Sequence, residues 1–195
     1  MDRKLLAWGL RHKPVPLPRL WLFTDDRRLP DPRMSVACLP RGQAGVVLRH
    51  DHDPARTSLG RDLARICRAR RLILVVAGNA RLAAALHAGV HLRGGYRPGP
   101  VRTRGVTTSS AHSIPDLLRA RRAHADLVFL SPAFATASHA GAPGLGPLRW
   151  AAIARHRAWS FPAIAALGGV DGGTIKRLPS RLVQAAGAIG ALSTG

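Results

Sequence analysis

The segment 58–77, SLGRDLARICRARRLILVVA, contains a helix pattern and a strand pattern in direct succession. In its first part, Leu59, Leu63 and Ile66 recur at helical spacing and form one apolar stripe, with arginines on the opposite face. Its second part, residues 72–77, is an uninterrupted apolar run, which is typical of a parallel strand covered on both faces. The segment therefore predicts an α/β fold in which helices cover a parallel sheet.

The same alternation of apolar runs and helical stretches continues on both sides of this segment. Strands are predicted at Leu20–Thr24, Gly45–Arg49, Leu72–Ala77, Gly89–Leu92, Arg104–Thr107, Leu127–Leu130, Ala163–Leu167 and Ile189–Leu192. Helices are predicted at Ser58–Arg70, Ala80–His87, Ile114–His124, Leu148–His156 and Asp171–Leu178. This strand count and the alternating order predict a compact (β/α)8 TIM barrel.

The two ends of the chain differ from a regular barrel. Residues 1–19 are basic and marked by prolines, and we interpret them as an N-terminal arm with a short helix at Lys4–Arg11, ahead of a barrel domain over 20–195. Only three residues follow the last predicted strand, so we expect a barrel without a full eighth helix. The apolar surface left open would be covered by the arm or by a second subunit of a homodimer.

The charge balance is strongly basic, with 30 Lys and Arg against 10 Asp and Glu and a formal net charge of +20. A nucleic-acid partner is not expected, because the arginines are spread along the whole chain and aromatic residues make up only 5%. No apolar run approaches the roughly 20 residues that span a bilayer, and the N-terminus lacks the apolar core of a secretory signal. With Cys38 and Cys67 interpreted as reduced thiols, we predict a cytoplasmic protein without a membrane partner.

A phosphate-binding site is predicted after the last two strands. Gly168 and Gly169 follow the seventh predicted strand, and glycines allow the backbone to approach an anion closely. A helix starting near Asp171 would direct its N–H groups to the same point. Ser193 follows the eighth predicted strand, and loops seven and eight are where such barrels often bind phosphate.

A second candidate group follows the fifth predicted strand. His112 lies between a strand end and a helix start, where barrel enzymes place acid–base groups, and an imidazole can both take and give a proton near neutral pH. A structural histidine is the alternative interpretation. The long loop 131–146, rich in Gly, Ala and Ser, is a further candidate because long loops in compact domains tend to be functional.

Six stretches resemble, in order, the motifs of the thiamine phosphate synthase superfamily, which includes the TenI-like thiazole tautomerases. The most specific is the loop FLSPAFATASHAGAPGLG at 129–146. The others are LWLFTDDR (20–27), VVLRHD (46–51), LHAGVHLR (86–93), SSAHS (109–113) and ALGGV (166–170).

The resemblance implies roles for individual residues. Arg49 matches the arginine near the pyrophosphate or pyrimidine, and Ser110 matches the serine near the pyrophosphate. His112 matches the histidine that tautomerases use for proton transfer. The remaining matches concern the thiazole end. Thr136 and Ser138 match the two hydroxyls that hold it, and Gly169, Leu192 and Ser193 match its phosphate site.

The resemblance implies Mg²⁺ only for a true synthase, whose pyrophosphate leaving group is bound through a metal held by aspartates. At those positions this chain has Gly78 and Asn79 after the third predicted strand and Arg93 after the fourth, and Asp51 and His139 replace lysines. An arginine repels a divalent cation, so no cofactor is predicted.

The favoured function is therefore a tautomerase-like isomerase in thiamine biosynthesis that binds a phosphorylated thiazole. One alternative is a thiamine phosphate synthase, a transferase that joins hydroxymethylpyrimidine pyrophosphate to thiazole phosphate. A further alternative is a non-catalytic module that binds a phosphate ligand and regulates another enzyme.

Overall fold

The alternating strands and helices form one closed barrel. The computed structural model describes residues 1–11, 17–96, 103–136, 143–156 and 163–194. The strands are β1 (Leu20–Phe23), β2 (Ala44–Leu48), β3 (Ile73–Ala77), β4 (Gly89–Leu92), β5 (Thr107–Ala111), β6 (Leu127–Leu130), β7 (Ala163–Leu167) and β8 (Ala185–Ala188). Each strand pairs in parallel with the next, and β8 pairs with β1, so the predicted (β/α)8 TIM barrel is confirmed.

The helices lie between the strands, and their lengths vary widely. They are α1 (Arg3–Leu10), α2 (Arg33–Ala37), α3 (Arg56–Arg70), α4 (Ala80–Ala85), α5 (Ile114–Arg122) and α6 (Gly146–Arg155). Short 3₁₀ helices follow β7, at Thr174–Arg177, and β8, at Gly190–Leu192. None of the helices in the described ranges is long and apolar enough to cross a membrane.

Aromatic rings fill the interior of the barrel, and glycines on neighbouring strands make room for them. Phe23 packs edge-on against Phe129 at 4.8 Å between ring centroids, and Trp21 packs edge-on against the same ring at 5.7 Å. A Cβ atom on Gly45 would lie 2.3 Å from the Trp21 ring, and one on Gly187 would lie 2.9 Å from the Phe23 ring. Small residues on β2 and β8 are therefore required by the large side chains of β1.

Two strand predictions were displaced. The strand predicted at Ile189–Leu192 lies at Ala185–Ala188, and residues 190–192 form a 3₁₀ helix. The sequence AAGA carries little hydrophobic signal, yet only small side chains fit beside the Phe23 ring there. The strand predicted at Arg104–Thr107 lies at Thr107–Ala111. This segment is rich in Thr and Ser and therefore lacks the apolar pattern of a buried strand, but the Thr108 hydroxyl forms a hydrogen bond with His91 inside the barrel.

The prediction of a helix over Asp171–Leu178 is also wrong, since only the 3₁₀ turn Thr174–Arg177 forms there. In the described residues beyond β8, the only helical segment is the 3₁₀ turn at Gly190–Leu192, in keeping with the expected lack of a full eighth helix. The outer layer at this side of the barrel therefore needs another element.

Helix α1 covers this side. The Asp2 N–H donates to the carbonyl of Ala191 after β8, and the Asp2 carboxylate accepts the N–H of Gly172 after β7, both at 2.7 Å. At the other end of the helix, Gly9 lies so close to Leu20 of β1 that a Cβ atom would come within 2.3 Å of that side chain. Helix α1 therefore runs from the carboxyl ends of β7 and β8 to the start of β1, which is the course of an outer barrel helix.

Candidate active site

A cavity of about 1280 Å³ opens at the carboxyl ends of the strands, where TIM-barrel active sites lie. Six of the residues predicted for the site line it: Arg49, Ser110, His112, Thr136, Gly168 and Gly169. Ser138 lies outside the described residues. Strands β2, β5 and β7 and the loop after β6 thus bring together residues that are up to 120 positions apart in the chain.

Leu192 and Ser193 are not among the described residues that line this cavity. Leu192 is fully buried in the hydrophobic core, and the Ser193 hydroxyl donates to the carbonyl of Gly190 at 2.9 Å. Gly190 and Ala191 border the cavity instead, because β8 ends four residues earlier than the predicted strand.

Several residues that line the cavity were not predicted as site residues: Arg28, Asp51, His91, Arg93, Ser131 and Arg177. Asp51 and Arg93 are visible in the sequence as departures from the family motifs. Arg177 follows β7 within a 3₁₀ turn and lies over the ring of Phe134 at 5.3 Å, and no sequence signal set it apart from the other arginines.

Gly168 and Gly169 allow the loops after β6 and β7 to meet. Their φ angles are +88° and +62°, a region that L-residues rarely adopt. The Phe134 N–H donates to the carbonyl of Gly168 at 3.0 Å, and a Cβ atom on Gly169 would lie 2.4 Å from the carbonyl oxygen of Ala135. Glycine is therefore required at position 169 both by the backbone angle and by the closeness of the neighbouring loop.

The backbone N–H groups after Asp171, which we predict from the sequence to bind a phosphate, instead donate to carboxylates of the chain itself. Asp171 accepts the N–H groups of Gly173 and Thr174 at 2.7 Å each, and Asp2 accepts the N–H of Gly172. The hydrogen bond from the Thr174 N–H is the main reason why the pKa of Asp171 is lowered. Gly169, Gly190 and Ala191, which follow the neighbouring strands β7 and β8, line the cavity and are backbone groups that could face a phosphate.

His112 is held at the mouth of β5 by both its backbone and its ring. Its N–H donates to Asp116 at 2.9 Å, and its Nδ1 lies 2.8 Å from the carbonyl oxygen of Ser131. A carbonyl oxygen can only accept, so Nδ1 carries a proton and, in the neutral ring, Nε2 carries the lone pair. The ring is thereby fixed in the tautomer that can act as a base through Nε2.

Asp116 supports this arrangement from the first turn of α5. Burial opposes its ionisation, but hydrogen bonds from the His112 N–H and the Ser113 hydroxyl, together with the nearby Arg119, keep the pKa of Asp116 below its ordinary value. The carboxylate therefore stays charged near neutral pH and anchors the backbone of His112.

His91 lies on β4 at the floor of the cavity and is uncharged. Its Nδ1 lies 2.8 Å from the Thr108 hydroxyl, and its ring packs edge-on against Phe23. Burial, with Arg49 and Arg93 as additional causes, lowers the pKa of His91 to about 3. The ring is a neutral polar group of the barrel interior at physiological pH.

Acid should therefore destabilise the protein through His91. In the unfolded chain His91 binds a proton below its ordinary pKa of 6.5, whereas in the folded chain it binds one only below about pH 3. Stability is thus fully present above pH 6.5 and falls as the pH drops through this window, by up to a few kcal/mol. We expect urea unfolding between pH 7 and 4.5 to show this loss, and His91→Gln to flatten it. The exposed His156→Gln should leave the slope unchanged, and an equal slope in all three proteins would contradict the assignment.

The residues at the ends of β3 and β4 do not fit a magnesium ion. Gly78 has no side chain, and the Asn79 side chain accepts the N–H of Leu82 at 2.9 Å and caps α4. Asp51, which lines the cavity beside these residues, pairs with both Arg56 and Arg93. Within the described ranges, no cluster of three or more His, Cys, Asp or Glu residues is placed to hold a metal.

The closed parallel barrel, with its cavity at the carboxyl ends of the strands, defines a TIM-barrel protein with an enzyme-like site. The chain belongs to the thiamine monophosphate synthase family (TMP-TENI), whose model matches residues 22–192. No curated protein sequence matches significantly.

Solved structures share the fold at low sequence identity. Thiamine phosphate pyrophosphorylase from Pyrococcus furiosus superposes with a TM-score of 0.72 at 22% identity, over 88% of this chain and 85% of that one. The thiamine phosphate pyrophosphorylase from Bacteroides thetaiotaomicron has a TM-score of 0.58 at 18% identity, over 90% and 84%. FabK from Thermotoga maritima reaches 0.68 at 12% identity, over 90% of this chain but only 58% of its own.

Proposed function

We propose that the protein is an isomerase that moves a proton on a phosphorylated thiazole, as the tautomerase branch of its family does. The observation that carries the proposal is the 2.8 Å contact from His112 Nδ1 to the Ser131 carbonyl, which leaves Nε2 as the basic atom of a ring that borders the cavity. Family membership supports a phosphorylated thiazole as the substrate class, and the residues at β3 and β4 argue against a metal-dependent reaction.

The chemistry needs only one acid–base group. His112 Nε2 would take a proton from one atom of the thiazole system and return it to another, so that no proton is gained or lost overall. The imidazolium formed in between is stabilised by the Nδ1–H bond to the Ser131 carbonyl. Thr136 would face the thiazole end, and Gly169 with the 190–191 turn would bind the phosphate.

The proposal is tested by incubating the protein with the exocyclic thiazole phosphate carboxylate in D₂O and following the reaction by NMR. We expect conversion to the aromatic isomer above the rate without protein, with deuterium entering the product. The rate should be the same in EDTA and in Mg²⁺. Absence of conversion above background would contradict the proposal, and binding without conversion would favour the non-catalytic module.

Thiamine phosphate synthase activity is the second candidate, because the family and two of the structural neighbours carry that name. It would show as Mg²⁺-dependent formation of thiamine phosphate from the two half-substrates and as rescue of a synthase-deficient strain. Arg93 and Gly78 argue against it, since neither can donate a carboxylate to the metal.

A further inference from the structure

We propose that Arg93 and Arg49 form a second anion site in the cavity, which binds a carboxylate or phosphoryl group directly through guanidinium groups and without a metal ion. The inference deepens the proposed function, on which it rests for the identity of the remainder of the ligand. It assigns an arginine-based role to the part of the site where the family motifs carry aspartates.

Gly78 makes room for Arg93 at the end of β3. Its φ angle is +65°, and a Cβ atom at this position would lie 3.1 Å from Nε and 3.3 Å from Cζ of Arg93. The guanidinium thus occupies the space that a side chain on residue 78 would need. A larger residue at position 78 would therefore displace the Arg93 guanidinium from its place beside the end of β3.

Asp51 anchors Arg93 at this place. One oxygen of Asp51 pairs with Arg93 Nη2, and the other lies 3.2 Å from Arg56 Nη2. The same Arg56 nitrogen donates to the carbonyl of Ala77 at 2.5 Å, which ties the pair to the end of β3. Burial is the main reason why the pKa of Arg56 is lowered, and the charge of Arg93 acts in the same direction. Asp51, itself bound to Arg56 at the end of β3, therefore fixes the position of the Arg93 guanidinium.

The cluster carries surplus positive charge. Asp51 faces two arginines, and Arg49 contributes a third guanidinium, whose nearest carboxylate is Asp25 at 4.0 Å. The Arg93 side chain is 56% exposed and that of Arg49 is 41% exposed, whereas that of Arg56 is only 17% exposed. The two exposed guanidiniums border the cavity, so the excess charge is available to an anion there.

Ser110 supplies a neutral donor between these cations and His112. Its oxygen accepts the N–H of Gly94 at 3.0 Å, which leaves its hydroxyl proton to donate toward the cavity. Guanidinium groups bind carboxylate and phosphoryl oxygens through paired hydrogen bonds, and a nearby hydroxyl adds a third. This set of donors suits an anion and offers a divalent cation no free carboxylate.

The proposal implies a ligand with two acidic groups, one at Gly169 and one at Arg93. The lone pair of His112 would then act on the part of the ligand between them. Since the sources of the second group are a carboxylate and a phosphoryl group, the test uses one small probe of each kind.

The test is calorimetric titration of the full chain with inorganic pyrophosphate and, separately, with malonate, in EDTA and in Mg²⁺. We expect binding in EDTA, no strengthening by Mg²⁺, and a loss of about 10–100-fold in affinity in Arg93→Gln, the amount expected for charge-assisted hydrogen bonds. Arg93→Lys should recover part of the affinity. Arg65→Gln is the matched control, because Arg65 is 75% exposed on α3, outside the residues that line the cavity. The tighter of the two probes identifies the chemical class.

Two results would overturn the proposal. One is a requirement for Mg²⁺ in pyrophosphate binding. The other is unchanged affinity in a folded Arg93→Gln while Gly169→Ala abolishes binding, which would place the anion at the phosphate site alone. Because neither probe contains a thiazole, the titration tests anion binding independently of whether the protein isomerises a thiazole phosphate. Anion binding without isomerisation would count against the proposed function only.

Discussion

Replacing His112 with glutamine should lower the rate of thiazole phosphate isomerisation by about 10²–10⁴-fold, the usual contribution of one general acid–base group. Glutamine keeps a polar side chain of similar length at this place, but its amide cannot exchange a proton as the imidazole Nε2 can. The ground-state affinity for the substrate should change little, so the loss should appear in kcat rather than in KM. Single-turnover NMR in D₂O measures the step directly.

The control for this variant is His156→Gln, which changes an exposed histidine at the end of α6, outside the residues that line the cavity. It should retain the activity of the unchanged protein. If a folded His112→Gln isomerises the substrate within threefold of that activity, His112 is not the acid–base group and the role assigned to its Nε2 is wrong.

Gly169→Ala should remove phosphate binding, with a loss of affinity of at least about 100-fold, because the new methyl group displaces the loop after β6. Its Cβ would lie 2.4 Å from the Ala135 carbonyl oxygen and 2.8 Å from Cβ of Phe134. The backbone angle and the overpacking together should also lower the free energy of unfolding by about 2–4 kcal/mol. Titration with inorganic phosphate and urea unfolding measure the two effects separately.

Gly42→Ala separates the backbone cost from the steric one. Gly42 has a φ angle of +70°, close to that of Gly169, but a Cβ atom there would meet nothing within 4 Å. This variant should lose about 1 kcal/mol of stability and retain its affinity for phosphate. Wild-type affinity in Gly169→Ala would show that the phosphate binds elsewhere.

The barrel could be predicted because its strongest signals are local. The apolar run at 72–77 indicates a strand, and the apolar stripe of α3 indicates a helix, each from a few neighbouring residues. The repeated alternation of strand and helix patterns then predicts the barrel topology. The prediction for strand β8 was misplaced because its small residues are required by the Phe23 ring on β1, which is 164 positions from Gly187. Its register depends on packing that the sequence of the strand does not display.

The candidate site likewise contains residues that local sequence patterns indicate and contacts that only the structure shows. His112 and the two glycines are marked by their places at strand ends, so the sequence indicates them. The hydrogen bond from Gly172 to Asp2 joins residues 170 positions apart, and no pattern near residue 172 indicates that this donor is already used. Likewise, Asp51 and Arg93 each stand out as a departure from a motif, but only the structure shows that they pair with each other.

Helix α1 has a consequence for how the chain is synthesised and folded. It precedes the barrel in the chain, whereas its partners Gly172 and Ala191 follow Asp2 by 170 positions or more. Leu5 and Trp8 are buried in the finished molecule, and this apolar face of the helix stays partly exposed until β7 and β8 have been synthesised. Helix α1 therefore completes its contacts with the barrel only after these later segments have been synthesised.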